Sequence, residues 1–252
     1  PLASLTTEGG DTSLGGNVKT TGNQNFGSDV TLTGDTKFVS GNLFDLSGLV
    51  GGGYNVEIDA LNAIIDAQKH SVSGIADLTV PGDVGLNGSI ATTGNQLYSG
   101  DVGVLGNTTL TAGSGAISLG TGGEVIGASH TLTLGDANQT GDVTLSGDVT
   151  LDGLEVGQEV GNGAFNLRVN TSQFTVTKLV DILSTGQLDI TPVGNSQLNF
   201  ENGLNATNPS SIYLAGAIAS SQGPEGLSFG YAKVGYDSPS ATLTVGGNEN
   251  AV

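Results

Sequence analysis

Thr20-Thr21-Gly22-Asn23-Gln24-Asn25-Phe26 returns further along as Thr92-Thr93-Gly94-Asn95-Gln96-Leu97-Tyr98. The match runs on at a constant offset without a gap, because Asp29-Val30, Gly34 and Thr36 correspond to Asp101-Val102, Gly106 and Thr108. Nine of the nineteen positions from Thr20 to Phe38 are identical at that offset. A weaker echo starts at Asn138-Gln139 and runs into Gly141-Asp142-Val143-Thr144-Leu145. Internal repetition at a fixed spacing marks a chain built from stacked units, each too small to bury its apolar face alone.

A shorter unit, Gly-Asp-Val-x-apolar, recurs at Gly82 to Leu86, Gly100 to Val104, Gly141 to Leu145 and Gly147 to Leu151, with a variant at Ser28 to Leu32. Its apolar residues stand two apart, as in a strand with one buried face. Leu132-Thr133-Leu134, Leu188-Asp189-Ile190, Leu198-Asn199-Phe200 and Leu243-Thr244-Val245 alternate in the same way. Gly, Asn and Asp between the runs are turn formers. Many short strands with regular turn signals predict an all-β chain. Direct repetition favours a parallel β-solenoid over a sandwich, with about ten to twelve coils at an assumed ~20 residues each and a rod on the order of 50 Å long. The long echo then places like residues, Asn23 and Asn95 among them, in common columns.

Composition sets the outer limits. Of 252 residues 43 are Gly and 6 Pro, without the three-residue period of collagen. No apolar run is long enough to span a bilayer as a helix. Twenty-four acidic residues face six basic ones, a net charge of −18, which repels phosphate backbones and makes nucleic acid and anionic membranes poor partners. Charged residues are only 12% of the chain, so Thr, Ser, Asn and Gly must supply most of the surface. Cys is absent, which removes disulfides, thiolate metal sites and cysteine nucleophiles. The chain begins at Pro1 rather than Met, as expected of a processed or excised product, and its low Lys and abundant Thr, Asn and Gly suit an exported protein.

One stretch breaks the strand pattern. From Val56 to Lys69, residues Ile58, Leu61, Ile64 and Ile65 fall on one helical face, with Asn55 as a cap and Lys69 and His70 suited to the last turn. This predicts one short helix near 56–69, packed over an end or side of the β-core, with partner docking as its functional alternative. From about Val160 the Gly-Asp-Val units stop. The expected organisation is a repeat-bearing region at 1–158, carrying the helical insertion, and a continuing β region or cap at 159–252.

Catalytic signals are weak. His70 and His130 are the only histidines, far apart in the chain and in unlike contexts. Asp136, Asp142, Asp148 and Asp152 form the densest acidic set. In a solenoid such carboxylates could line one face and hold calcium, or act on a polysaccharide as acid and base. Asp before Val is equally what a tight turn selects. Tyr213, Phe229, Tyr231 and Tyr236 gather near Pro209, Pro224 and Pro239, where sugar stacking competes with ordinary core packing. Asn107, Asn138, Asn170 and Asn205 each open an Asn-x-Ser/Thr acceptor pattern, as this composition would give by chance. No residue is therefore assigned as catalytic, cofactor-binding or metal-ligating.

The unit running from Thr20 to Phe38 and again from Thr92 to Leu110, continued by Thr111-Ala112-Gly113-Ser114-Gly115-Ala116-Ile117-Ser118-Leu119, resembles repeats of filamentous-haemagglutinin-like bacterial exoproteins. That resemblance implies a secreted right-handed parallel β-helix on the cell surface, working in adhesion and biofilm rather than catalysis. The family's secretion domain, with its Asn-Pro-Asn-type signature, is not recognisable here. The resulting expectation is an extracellular, non-catalytic structural or adhesive protein, a solenoid segment or fibre subunit without cofactor. Its partners would be copies of itself and host or matrix glycans. A polysaccharide lyase or hydrolase on the same scaffold, or a calcium-dependent glycan-binding module, is the alternative.

Overall fold

The computed structural model describes residues 1–158, 163–194, 196–221, 226–230, 232–234 and 241–245. The chain winds as an all-β, parallel solenoid of about ten turns. Each full turn lays down three strand segments, and each segment pairs in parallel with its equivalents one turn before and after. On face 1 the ladder runs from Gly16 through Thr36, Val56, Leu78, Gln96, Ile117, Val143, Leu167, Leu188 and Ile212 to Ala232. Face 2 carries the ladder Phe44, Ala63, Val84, Val102, Val125, Val149, Phe174, Leu198, Ile218 and Leu243. Face 3 follows it, with Leu49, Val72, Ile90, Leu110, Leu134 and Val156 among its rungs.

Inward rungs alternate with outward residues along every segment, as a pleated strand requires. The inward residues of all three faces merge into one apolar core running the length of the rod. Phe26, Phe38 and Phe44 fill its N-terminal part with ring centroids 5.0 to 5.7 Å apart, and Phe174 and Phe200 pack at a tilt with centroids 4.8 Å apart further along. Such edge-on and tilted contacts add to the area each ring buries.

Gly-Asp-Val proves to be a corner. A side chain at Gly82, Gly100, Gly141 or Gly147 would overlap backbone atoms of the preceding coil. The Asp then accepts a hydrogen bond from the next coil in most cases, and the Val is the first inward rung. Asp83, Asp101 and Asp148 occupy corners before face 2, whereas Asp142 precedes face 1.

This corrects the expected meaning of the long repeat. Gln24 stands on face 2, paired with Leu5, but Gln96 stands on face 1, between Leu78 and Ile117. The offset amounts to three full turns plus two faces, so Asn23 and Asn95 do not share a column. The repeat records a face with its corner rather than a whole coil. Because the three corners solve the same packing problem, one local sequence serves at any of them.

The helix expected near 56–69 is absent, and the docking role offered for it goes too. Val56–Ile75 is a strand that bends round two corners. Val56, Ile58 and Ala60 point inward on face 1, and Ala63, Ile65 and Ala67 point inward on face 2. Between them the corner at Leu61 and Asn62 shifts the alternation by one position. Two period-2 runs out of phase put Ile58, Leu61, Ile64 and Ile65 at helical spacing. Leu61, which a helix would have buried, is 68% exposed.

Candidate functional site

The corner that precedes face 1 is built from a column of side-chain carbonyl and carboxylate oxygens. Asn55 N donates to Asp35 Oδ1 (2.9 Å), Asp77 N to Asn55 Oδ1 (3.2 Å), Asn95 N to Asp77 Oδ1 (2.6 Å) and Ala116 N to Asn95 Oδ1 (2.9 Å). Each Asn or Asp thus satisfies a backbone N–H of the next coil that the bend would otherwise leave unpaired. Asn55, expected to cap a helix, is a rung of this column. A similar column precedes face 2, where Asp101 N donates to Asp83 Oδ1 (3.0 Å) and Glu124 N to Asp101 Oδ1 (2.9 Å).

Beside the first column lies a groove of about 480 Å³. Its floor is the outward row of face 1, Asn17, Lys37, Glu57 and Thr79, and one wall is the corner row Asp35, Asn55 and Asp77. Lys37 Nζ lies 2.7 Å from Glu57 Oε1 and 3.4 Å from Asp59 Oδ2. The hydrogen bond to Glu57 holds the Lys37 ammonium above its ordinary pKa, so it stays charged at neutral pH. The pair crosses two coils at the surface and adds little stability there. Chemically the groove offers donors and acceptors side by side, an arrangement suited to hydroxyl groups.

The acidic set singled out in the sequence does not converge. Asp136 Oδ1 accepts from Asn138 N (2.9 Å), Asp142 Oδ1 from Asn166 Nδ2 (2.8 Å), and Asp148 Oδ1 from Gln173 N (2.9 Å) and the Ser172 hydroxyl. Asp152 pairs with Lys178 Nζ at 2.7 Å. Each carboxylate is spent on its own corner, and among the described residues no three His, Cys, Asp or Glu side chains group as a metal site. His70 Nδ1 lies 3.1 Å from Asp29 Oδ1, reaching over Gly48, where any side chain would strike both. His130 is half-buried in the strand Glu124–Leu134. Tyr213 is half-buried in the outward row of face 1 and Phe229 packs against the core, while Tyr231, Tyr236, Pro224 and Pro239 lie outside the described residues.

Sequence reasoning passed over the buried glutamines. Gln24 Nε2 donates to Val18 O (3.0 Å) and Val39 O (2.9 Å) and lies 3.4 Å from Thr20 Oγ1. Gln96 repeats the pattern with Ile90 O (3.2 Å), Thr111 O (2.8 Å) and Thr92 Oγ1 (3.3 Å). Gln139, the third echo, donates to Gly115 O and Gly141 O and accepts from Ala112 N at 2.7 Å. All three amides are buried, and each ties one coil to another. Their signal was legible: the same Gln stands in all three echoes. No family model, curated protein or solved structure matches the chain.

Proposed function

We propose that the protein is a non-catalytic structural or adhesive element of a bacterial cell-surface fibre or biofilm matrix, working outside the cell as a solenoid segment or stacking subunit. The observation that carries this reading is the set of three parallel ladders kept in step through about ten turns around one continuous core. Such a body is a stiff rod of about 50 Å, whose backbone hydrogen bonds run along its length. Its surface, rich in Thr and Asn and poor in charge, offers hydrogen bonds to sugar hydroxyls and to neighbouring rods. The groove along face 1 is the place on it where a glycan would find most donors and acceptors together. The likeness of Thr20 to Phe38 and Thr92 to Leu110 to filamentous-haemagglutinin-like repeats supports the same reading.

Negative-stain microscopy over a range of concentrations, paired with a glycan array, tests it. Short rods or end-to-end filaments, with glycan retention weakened by Lys37→Ala and Asp77→Ala together, are expected. Compact particles, or cleavage of an arrayed polysaccharide by the purified chain, would overturn it.

A further inference from the structure

The chain carries five Asn-x-Ser/Thr patterns, Asn87-Gly88-Ser89 besides the four named above, and they are equal in sequence but not in space. We infer that Asn138 is an acceptor for N-linked glycosylation, the chemical partner being a sugar activated as its diphosphate. Asn138 sits at the tip of the loop that makes the step from Ile117 to Val143 the longest between rungs of face 1. Gly135, at φ 78°, opens that loop, and a turn closes it through Gln139 N donating to Asp136 O at 3.1 Å. The alternation at the tip is exposed, buried, exposed: Asn138 and Thr140 face solvent while Gln139 is 0% exposed. The Gln139 amide accepts from Ala112 N and donates to Gly115 O, and these two bonds, together with Thr140 N donating to Gly113 O (2.8 Å), pin the loop to the coil before it. The acceptor amide and the hydroxyl two positions on therefore share one outward side, which an enzyme reading both groups requires.

The other four sites are engaged. Asn87 Nδ2 donates to Asp66 Oδ1 at 3.0 Å. Asn107 Oδ1 accepts from Thr131 N at 3.0 Å, and Asn205 Nδ2 donates to Asp181 Oδ1 at 2.9 Å while its Oδ1 accepts from Thr207. At Asn170 the amide is exposed, but the Ser172 hydroxyl is bound to Asp148. Among the described residues, Asn138 alone of the five combines a side-chain amide and a hydroxyl that are both without a partner. In the transfer, the Asn138 amide nitrogen forms a bond to the anomeric carbon, the carbon–oxygen bond to the diphosphate breaks, and the amide proton leaves to a base. Gln139 keeps its place in the core throughout, so the addition leaves the coil intact.

The folded chain, incubated in one arm with an oligosaccharyltransferase and a polyprenyl-pyrophosphate oligosaccharide, and in another with an asparagine glycosyltransferase and a nucleotide-diphosphate hexose, tests this by intact mass. One added glycan in either arm is expected, and the arm identifies the donor. Asn138→Gln and Thr140→Val should each lose it, with unchanged circular dichroism, while Asn107→Gln and Asn170→Gln keep it. Addition at another Asn with Asn138 bare, or no addition in either arm while a control acceptor peptide is modified, would overturn the assignment. Neither outcome bears on the fibre reading, which rests on other observations.

Discussion

Thr20–Phe38 and Thr92–Leu110 are the same device placed on different faces of one rod. In both, the first Thr hydroxyl donates to the Gly carbonyl two positions on, Thr20 to Gly22 and Thr92 to Gly94, each at 2.7 Å. In both, a buried Gln amide spans to one carbonyl shortly before it and another on the following coil, Val18 and Val39 for Gln24, Ile90 and Thr111 for Gln96. The difference lies two positions further on. Tyr98 hydroxyl donates to Gln96 Oε1 at 3.0 Å, completing the amide, whereas Phe26 has no hydroxyl and Gln24 Oε1 is left without a partner. Burial also pushes the Tyr98 phenol far above its ordinary pKa, so it remains a donor. The comparison separates what a corner needs, the amide bridging coils, from what it can lack, the second half of that amide's bonding.

Replacing the amide itself should have the largest effect. Gln96→Leu strands Ile90 O, Thr111 O and the Tyr98 hydroxyl in the core, at a cost of about 3 kcal/mol. Gln24→Leu strands two carbonyls and removes an acceptor that was already unpaired, so about 2 kcal/mol is expected. Urea unfolding followed by circular dichroism measures both, and equal losses would contradict the asymmetry. Next come the reciprocal exchanges at the aromatic position. Tyr98→Phe should cost about 1 to 2 kcal/mol, while Phe26→Tyr should raise the melting temperature by supplying the missing donor to Gln24 Oε1. A loss in both variants would show that the Phe26 site has no room for the hydroxyl.

Smaller differences sharpen the comparison at its glycines. Gly34 has open space where a Cβ would go, but at Gly106 a Cβ would overlap the Asn87 carboxamide, which is bonded to Asp66. Gly34→Ala should be neutral or stabilising by about 0.5 kcal/mol, through lost freedom of the unfolded chain. Gly106→Ala should cost about 1 kcal/mol, that being the scale of the hydrogen bond displaced. The smallest effect concerns charge. Asp45, in the outward row of face 2, has its pKa raised above 3.8 by burial and then by the neighbouring Asp66, so the folded state binds its proton more tightly than the unfolded one. Its ionisation therefore destabilises the fold at neutral pH, and that penalty fades as the pH falls through the raised value towards 3.8. Asp45→Asn should raise the melting temperature slightly at pH 7, with the gain shrinking in acid. A gain independent of pH would remove ionisation as its cause.

Much of this architecture could be read from one-dimensional pattern. Val-Thr-Leu and Leu-Thr-Leu triplets announce strands with one buried side, because the side-chain period of a strand is fixed by its backbone. Repeated Gly-Asp-Val units announce corners, since Gly admits the close approach of a neighbouring coil and Asp bonds the bend. The candidate groove was not legible, since Asn17, Lys37, Glu57 and Thr79 are each a full coil apart along the chain and meet only when successive coils stack. The acidic set does not converge for the converse reason: Asp142 and Asp148 are close in the chain but lie at different corners, as the tight-turn reading of Asp before Val expects.

By itself, then, the order of residues determined that this chain is all-β, repetitive and wound into coils, because alternation and turn chemistry act over short stretches of chain. Only the tertiary structure decided how many faces a coil has, which corner each echo occupies, and that Val56–Ile75 is a bent strand. Those outcomes depend on the phase that each corner imposes on the next strand. That phase is fixed by contact with the neighbouring coil, a full turn away along the chain, a separation over which local sequence exerts no force.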